Sequence, residues 1–205
     1  MLKFHDRHEN LTEKLYNEEL DLPHRYVFVL TNICNLRCEF CFQDRDRRSD
    51  AMTIDDWLKV VNQLPDYARV TLTGGEPLAF KQFEEIFHAV SDKHQCNMIT
   101  NGLLLNEQKI DLLLSKPNFK VLSISVDDIG NIIRDVKVNQ WAKMLEIVKY
   151  FHRRKKELKS ECVLDIKTVV LDSNAQDLYS IHKYSVETLG ANTCFLYISL
   201  SLRDY

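Results

Sequence analysis

Thr31-Asn32-Ile33-Cys34-Asn35-Leu36-Arg37-Cys38-Glu39-Phe40-Cys41-Phe42 follows a β-type run, Tyr26–Thr31, and opens a loop that lasts until a helical pattern begins near Thr53. Three cysteines fall close together in that loop, three residues and then two residues apart. A structural zinc site takes four ligands, usually as two paired C-x-x-C elements. No fourth Cys or suitably spaced His follows within the loop. Iron–sulfur clusters are held by thiolates, and a cubane takes four of them. Three thiolates would leave one iron without a protein ligand, and an open iron is a place to bind and activate a second molecule. Packing alone accounts poorly for three cysteines spaced this way.

Outward from this loop, short β-type runs alternate with helix-period segments. Further strands are predicted over Arg69–Thr73, Cys96–Thr100, Lys120–Val126, Cys162–Val170 and Thr193–Ile198. Most read as near-continuous apolar runs, as expected of parallel strands covered on both faces. Thr53 and Asp56 resemble a capping box ahead of the stripe Ile54, Leu58, Val61 and Leu64. Phe83, Ile86, Phe87 and Val90 mark a second helix, and Asn106 caps a third that ends before Pro117. Trp141, Met144, Leu145, Val148 and Phe151 mark a fourth. Ser173 or Asn174 is placed to cap a fifth, with Gly190 just past its end. Six strands alternating with five helices predict right-handed βαβ units, an all-parallel sheet and ligand chemistry at the carboxyl ends of the strands. No linker interrupts the alternation. The expected organisation is an N-terminal lead-in over residues 1–24 and one α/β domain over 25–205.

Composition agrees with a folded, soluble chain. Of 205 residues 45% are hydrophobic and 28% charged, which excludes a disordered or low-complexity protein. The net charge of −3 gives no sign of a surface for nucleic acid or anionic membrane. No apolar run approaches the roughly 20 residues of a membrane span, and the polar opening segment has no signal-peptide core. A cytoplasmic location is expected, where the six cysteines would be thiols or metal ligands rather than disulfides.

The cysteine pattern, with Phe40 just before Cys41, resembles the signature of the radical S-adenosylmethionine (radical SAM) superfamily, and the likeness extends along the chain. Gly74-Gly75-Glu76-Pro77 follows the second strand, Thr100-Asn101-Gly102 closes the third, and Ser125-Val126-Asp127 closes the fourth, in that family's order. The resemblance implies a partial (β/α)6 barrel. It implies a 4Fe–4S cluster on Cys34, Cys38 and Cys41, with S-adenosylmethionine on the fourth iron. Glu76 would accept a hydrogen bond from the ligand's ammonium, and Gly74 and Gly75 would let backbone approach it, with positive φ permitted. Phe40 would face the adenine. Ser125 and Asp127 would contact the ribose or the methionyl end, Asn101 would hydrogen-bond the cofactor, and Arg134 would pair the methionyl carboxylate. The residues alone also fit blander roles: Asn101-Gly102 as a turn pair, Asp127 as a cap, Phe40 as a core aromatic, Arg134 as a surface side chain. The implied reaction is reductive cleavage of S-adenosylmethionine to a 5′-deoxyadenosyl radical. That radical abstracts hydrogen from a peptide or small-molecule substrate, with an electron donor such as flavodoxin or ferredoxin. A non-catalytic cluster-binding module is the alternative.

Two departures follow. Asp128 stands where peptide-modifying members carry Gly, and no Gly-containing R-G segment follows, which points away from a peptide. Cys96, Cys162 and Cys194 sit near strand starts, opposite the active rim, and are expected to be buried thiols. After Thr193–Ile198 only Ser199 to Tyr205 remain, too few for a sixth covering helix. The expectation is an uncovered edge strand, sealed by a C-terminal extension or a partner.

Overall fold

The computed structural model describes residues 3–43 and 52–198, with side chains from residue 9 onward. The order is α1 (Lys3–Tyr16), β1 (Arg25–Val29), α2 (Ile54–Val61), β2 (Arg69–Thr73), α3 (Phe83–Ser91), β3 (Gln95–Thr100), α4 (Glu107–Leu114), β4 (Phe119–Ser125), α5 (Val138–Glu157), β5 (Val163–Val170), α6 (Leu178–Glu187) and β6 (Thr193–Ile198). All six strands pair parallel, in the order β1-β2-β3-β4-β5-β6. Each crossover returns to the adjacent strand, so the sheet curls into a partial barrel with β1 and β6 as its two edges. The lead-in, expected only as a polar segment, carries α1. The Thr12 hydroxyl meets His24 Nε2 at 3.1 Å and ties that helix to the start of β1.

Local signals explain most of the elements. Thr53 and Asp56 form the reciprocal cap of α2, and the Asn106 carboxamide accepts the Lys109 N–H at the start of α4. The expected cap of α6 is different: Asn174 lies in the loop before it, and α6 begins at Leu178 with no side-chain cap. Gly190 does take the left-handed conformation, φ +67°, after the helix.

Alternate strand residues point outward to the helices. Leu72, Met98, Leu122, Ile124 and Leu164 are fully buried there with Ile86, Phe87, Ile110, Leu113 and Phe151. Phe87 meets Phe119 edge-on at 5.6 Å. Each such side chain contributes roughly 1.5–3 kcal/mol of burial. The inward faces are not uniformly apolar as the strands were read. They carry Arg69, Thr71, Asn97, Ser123, Asp165, Lys167 and Thr193, which line a central cavity.

The second half of strand β6 is exposed among the described residues. Phe195, Leu196, Tyr197 and Ile198 are all exposed, the last at 78%. The tail from Ser199 to Tyr205, on which the expectation of an unsealed edge turns, lies outside the described residues. Among the described residues no helix is long and apolar enough to cross a membrane.

Candidate active site

The cysteine loop is laid against the carboxyl-terminal rim of the barrel by the turn after β2. Gly75 N–H donates to the Thr31 carbonyl at 2.6 Å and Glu76 N–H to the Ile33 carbonyl at 2.8 Å. A Cβ on Gly74 would lie 2.6 Å from the Thr31 oxygen, and one on Gly75 2.5 Å from the Ile33 oxygen. The glycines are thus required by backbone-to-backbone approach of the turn to the cysteine loop. Neither has positive φ, contrary to the conformational role expected of them.

Glu76 adds side-chain contacts of its own to this turn. Its side chain is fully buried. Oε1 accepts from the Thr100 hydroxyl at 2.7 Å and the Leu78 N–H at 3.2 Å, and Oε2 from the Asn101 N–H at 2.9 Å. Burial pushes this carboxyl up, and the donors from Asn101, Thr100 and Leu78 oppose it. In the structure the carboxylate joins the β2 turn to the end of β3.

That junction reaches the cysteines. Asn101 Nδ2 donates to Asn35 Oδ1 at 2.8 Å and lies 3.7 Å from Cys34 Sγ, while its Oδ1 accepts the Leu103 N–H. Asn101 serves as the turn residue before Gly102, whose φ is +81°, and as a strut to the loop. The Leu36 N–H points at Cys34 Sγ from 3.4 Å.

A second junction sits at the end of β4. Asp127 is fully buried, accepts the Val169 N–H at 2.8 Å, and meets Arg134 Nε in an ion pair at 2.6 Å. Arg134 Nη1 lies 3.8 Å from Cys38 Sγ, and its guanidinium stacks over the Phe40 ring at 5.2 Å. Arg134 is thus no free surface arginine, and Phe40 packs against it. Ser125 contributes its carbonyl, which accepts from Asn131 Nδ2. Asn131, in the left-handed region at φ 57°, also receives the Asp127 N–H, and Asn174 donates to the Asp127 and Val169 carbonyls. Sequence reading missed Asn35, Thr100, Asn131 and Asn174 as members of this framework. Only the proximity of Asn35 to Cys34 and of Thr100 to Asn101 offered a signal for two of them.

Burial pushes the Cys34 and Cys38 thiols up, with the Leu36 N–H and Arg134 respectively pulling them back. Cys34, Cys38 and Cys41 influence one another electrostatically, so the three share one neighbourhood. Among the described residues no three acidic, His or Cys side chains converge as for a single metal ion. A cubane is wider than one ion, and thiolates are its usual ligands. Donors from Leu36, Asn101 and Arg134 face two of the three sulfurs, an arrangement that suits charged thiolates. The residues fit a 4Fe–4S cluster held by Cys34, Cys38 and Cys41.

Arg134→Gln tests the second junction. Burial pushes the Asp127 carboxyl up, with Arg134 as the main opposing influence. A raised native carboxyl loses stability as pH climbs through its native value. Without Arg134 that value rises further, so the variant should lie close to wild type at pH 5 and fall behind by up to about 3 kcal/mol at pH 8. Urea unfolding of the cluster-free protein at the two pH values measures the difference.

The fold and this rim define a member of the radical SAM class. The chain belongs to the Radical SAM superfamily, whose model matches residues 28–183. That family uses a 4Fe–4S cluster and S-adenosylmethionine. The sporulation killing factor maturation protein SkfB of Bacillus subtilis is 32% identical over 114 residues, covering 54% of this chain and 28% of SkfB. A GTP 3',8-cyclase of Clostridium perfringens is 27% identical over 172 residues, 79% of this chain and 50% of the cyclase. Streptococcus suis SuiB bound to its precursor peptide SuiA superposes with TM-score 0.70 at 17% identity, over 92% of this chain and 42% of SuiB, which establishes the shared fold. The chain spans half or less of the length of these relatives.

Proposed function

We propose that this chain is a catalytic radical SAM core acting on a peptide, in the cytoplasm, with a flavodoxin- or ferredoxin-like electron donor. The observation that carries the reading is the pair of junctions, Glu76–Asn101–Cys34 and Asp127–Arg134–Cys38, which fix the cysteine loop at the rim where parallel strands present their carboxyl ends. When bound, the cluster supplies the electron for reductive cleavage of S-adenosylmethionine, and the radical so formed abstracts hydrogen from substrate. The protein's share is to hold the thiolates, orient the ligand and exclude water. On this reading Asn101, Ser125 and Arg134 would orient it, with Glu76, Gly74, Gly75 and Asp127 as the frame behind them. A peptide is favoured because SkfB is a maturation protein and SuiB carries a precursor peptide, despite Asp128 standing where a Gly was expected. A small-molecule substrate is the second reading, favoured by the likeness to a GTP cyclase.

Anaerobic reconstitution with dithionite and S-adenosylmethionine, followed by chromatography, tests the activity. The expected product is 5′-deoxyadenosine, formed faster when the correct substrate is added. Its absence from a fully loaded protein would refute the catalytic reading and favour a cluster-binding module.

A further inference from the structure

Asp165, Lys167 and Tyr197 form a line of polar groups up the inner wall of the barrel. Strands β5 and β6 pair Asp165 with Thr193, Lys167 with Phe195 and Val169 with Tyr197, so the line climbs from the strand starts toward the cysteine rim. The Asp165 carboxylate anchors it, accepting from Ser123 Oγ at 2.7 Å and Thr193 Oγ1 at 2.8 Å and pairing with Lys167 Nζ at 2.9 Å. Lys167 Nζ in turn donates to the Tyr197 hydroxyl at 2.9 Å and lies over the Phe195 ring at 4.6 Å. An ammonium carries three N–H groups. Two oxygens and a ring face occupy this one, and only 15% of the side chain is exposed. Lys167 therefore reaches a ligand through Tyr197 rather than directly.

Tyr197 is the open end of the line. A phenol accepts on its oxygen and has one hydrogen to give. The oxygen here holds the ammonium, and among the described residues nothing accepts the hydrogen. A hydroxyl that accepts from a cation is polarised into a stronger donor. The height of Tyr197 is set by its register partner Val169, whose N–H donates to Asp127 Oδ1 at 2.8 Å. Asp127 in turn pairs with Arg134, beside Cys38. Tyr197 thus stands level with the second junction of the rim. Tyr197 and Phe195 are about half exposed, Val27 on β1 is 64% exposed, and all three line one cavity of about 300 Å³. A cavity of that size takes a small ligand or one residue of a larger one. What it offers here is a hydrogen-bond donor with hydrocarbon around it. Lys167 is matched by Asp165, so the donor itself asks for no anion.

We propose that Tyr197, aimed by Lys167, binds substrate: its O–H donates to a backbone carbonyl of the peptide, whose apolar side chain lies against Phe195 and Val27. Tyr197 is then a specificity-determining residue that touches substrate, and Lys167 is a positioning residue that acts through it. This rests on the reading of the chain as a radical SAM enzyme whose substrate is a peptide. The residue bound in this way is presented to the chemistry at the cysteine rim.

The probe is N-acetyl-leucine N-methylamide, a single blocked residue with carbonyl acceptors and an apolar side chain. Saturation-transfer NMR of the anaerobically reconstituted protein, titrated with this amide and separately with GTP, measures the dissociation constants. The amide should bind wild type saturably. Tyr197→Phe removes the hydroxyl and keeps the ring, and should weaken the amide about threefold to tenfold, as loss of one hydrogen bond does. Lys167→Met should weaken it by a similar factor, and the double variant should bind no more weakly than either single one, because both residues act through one bond. If Lys167→Met fails to fold, Tyr197→Phe decides alone. No saturable binding of the amide, an unchanged dissociation constant in Tyr197→Phe, or binding of GTP alone would overturn the proposal. Losses that multiply in the double variant would overturn the role of Lys167. Tyr197-dependent binding of the amide by a protein that forms no 5′-deoxyadenosine would refute the catalytic reading and leave the peptide site standing.

Discussion

Replacing Cys34, Cys38 and Cys41 together with Ala is expected to leave anaerobically reconstituted protein with essentially no cluster iron, where wild type holds about four irons per chain. Any one of the three replacements should cause most of that loss, since a cubane with two protein thiolates is poorly held. Cys96 and Cys162 should be dispensable. Both are completely buried, and burial pushes Cys162 up to about 12 and raises Cys96 as well, so neither is an available thiolate. Cys194, half-buried and also raised by burial, should be equally dispensable. Iron analysis and the cluster's visible absorption measure the outcome. A full cluster in the triple variant would move the site elsewhere.

Glu76→Ala should be the most damaging single change outside the cysteines, and its damage should be structural. Three donors, from Thr100, Leu78 and Asn101, lose their acceptor in a place water does not reach. Each orphaned buried donor costs about 1–3 kcal/mol, so a loss of about 3 kcal/mol or more is expected. For a chain of this length that lowers the melting temperature by roughly 6–12 °C or more. The measurement is thermal unfolding of the cluster-free protein, in which a ligand-contact role predicts no change. An unchanged melting temperature would return Glu76 to direct contact with S-adenosylmethionine.

The architecture was legible because its signals are local and repeated. Helix caps at Thr53 and Asn106 and the strand at Arg69–Thr73 are each set by a few neighbouring residues, and the alternation of elements specifies βαβ winding. The cysteine loop was legible for the same reason. The direction of the Glu76 carboxylate was not, because it is decided by donors some 24 and 25 positions away at Thr100 and Asn101. Asn131 and Asn174 were missed similarly: a polar loop residue does not announce which buried carbonyl it will satisfy. The polar inner face of the barrel is also written in the sequence. Arg69-Val70-Thr71-Leu72-Thr73 alternates polar and apolar residues, the period of a strand with unlike faces, which the near-continuous apolar character of most of the runs masks.

A cluster held by three thiolates would leave its fourth iron open to S-adenosylmethionine. Electron paramagnetic resonance of the dithionite-reduced protein, recorded with and without S-adenosylmethionine, addresses that iron directly. The expected result is a reduced-cluster signal whose g values change when S-adenosylmethionine is added. A cluster signal that is identical in its presence and absence would contradict it.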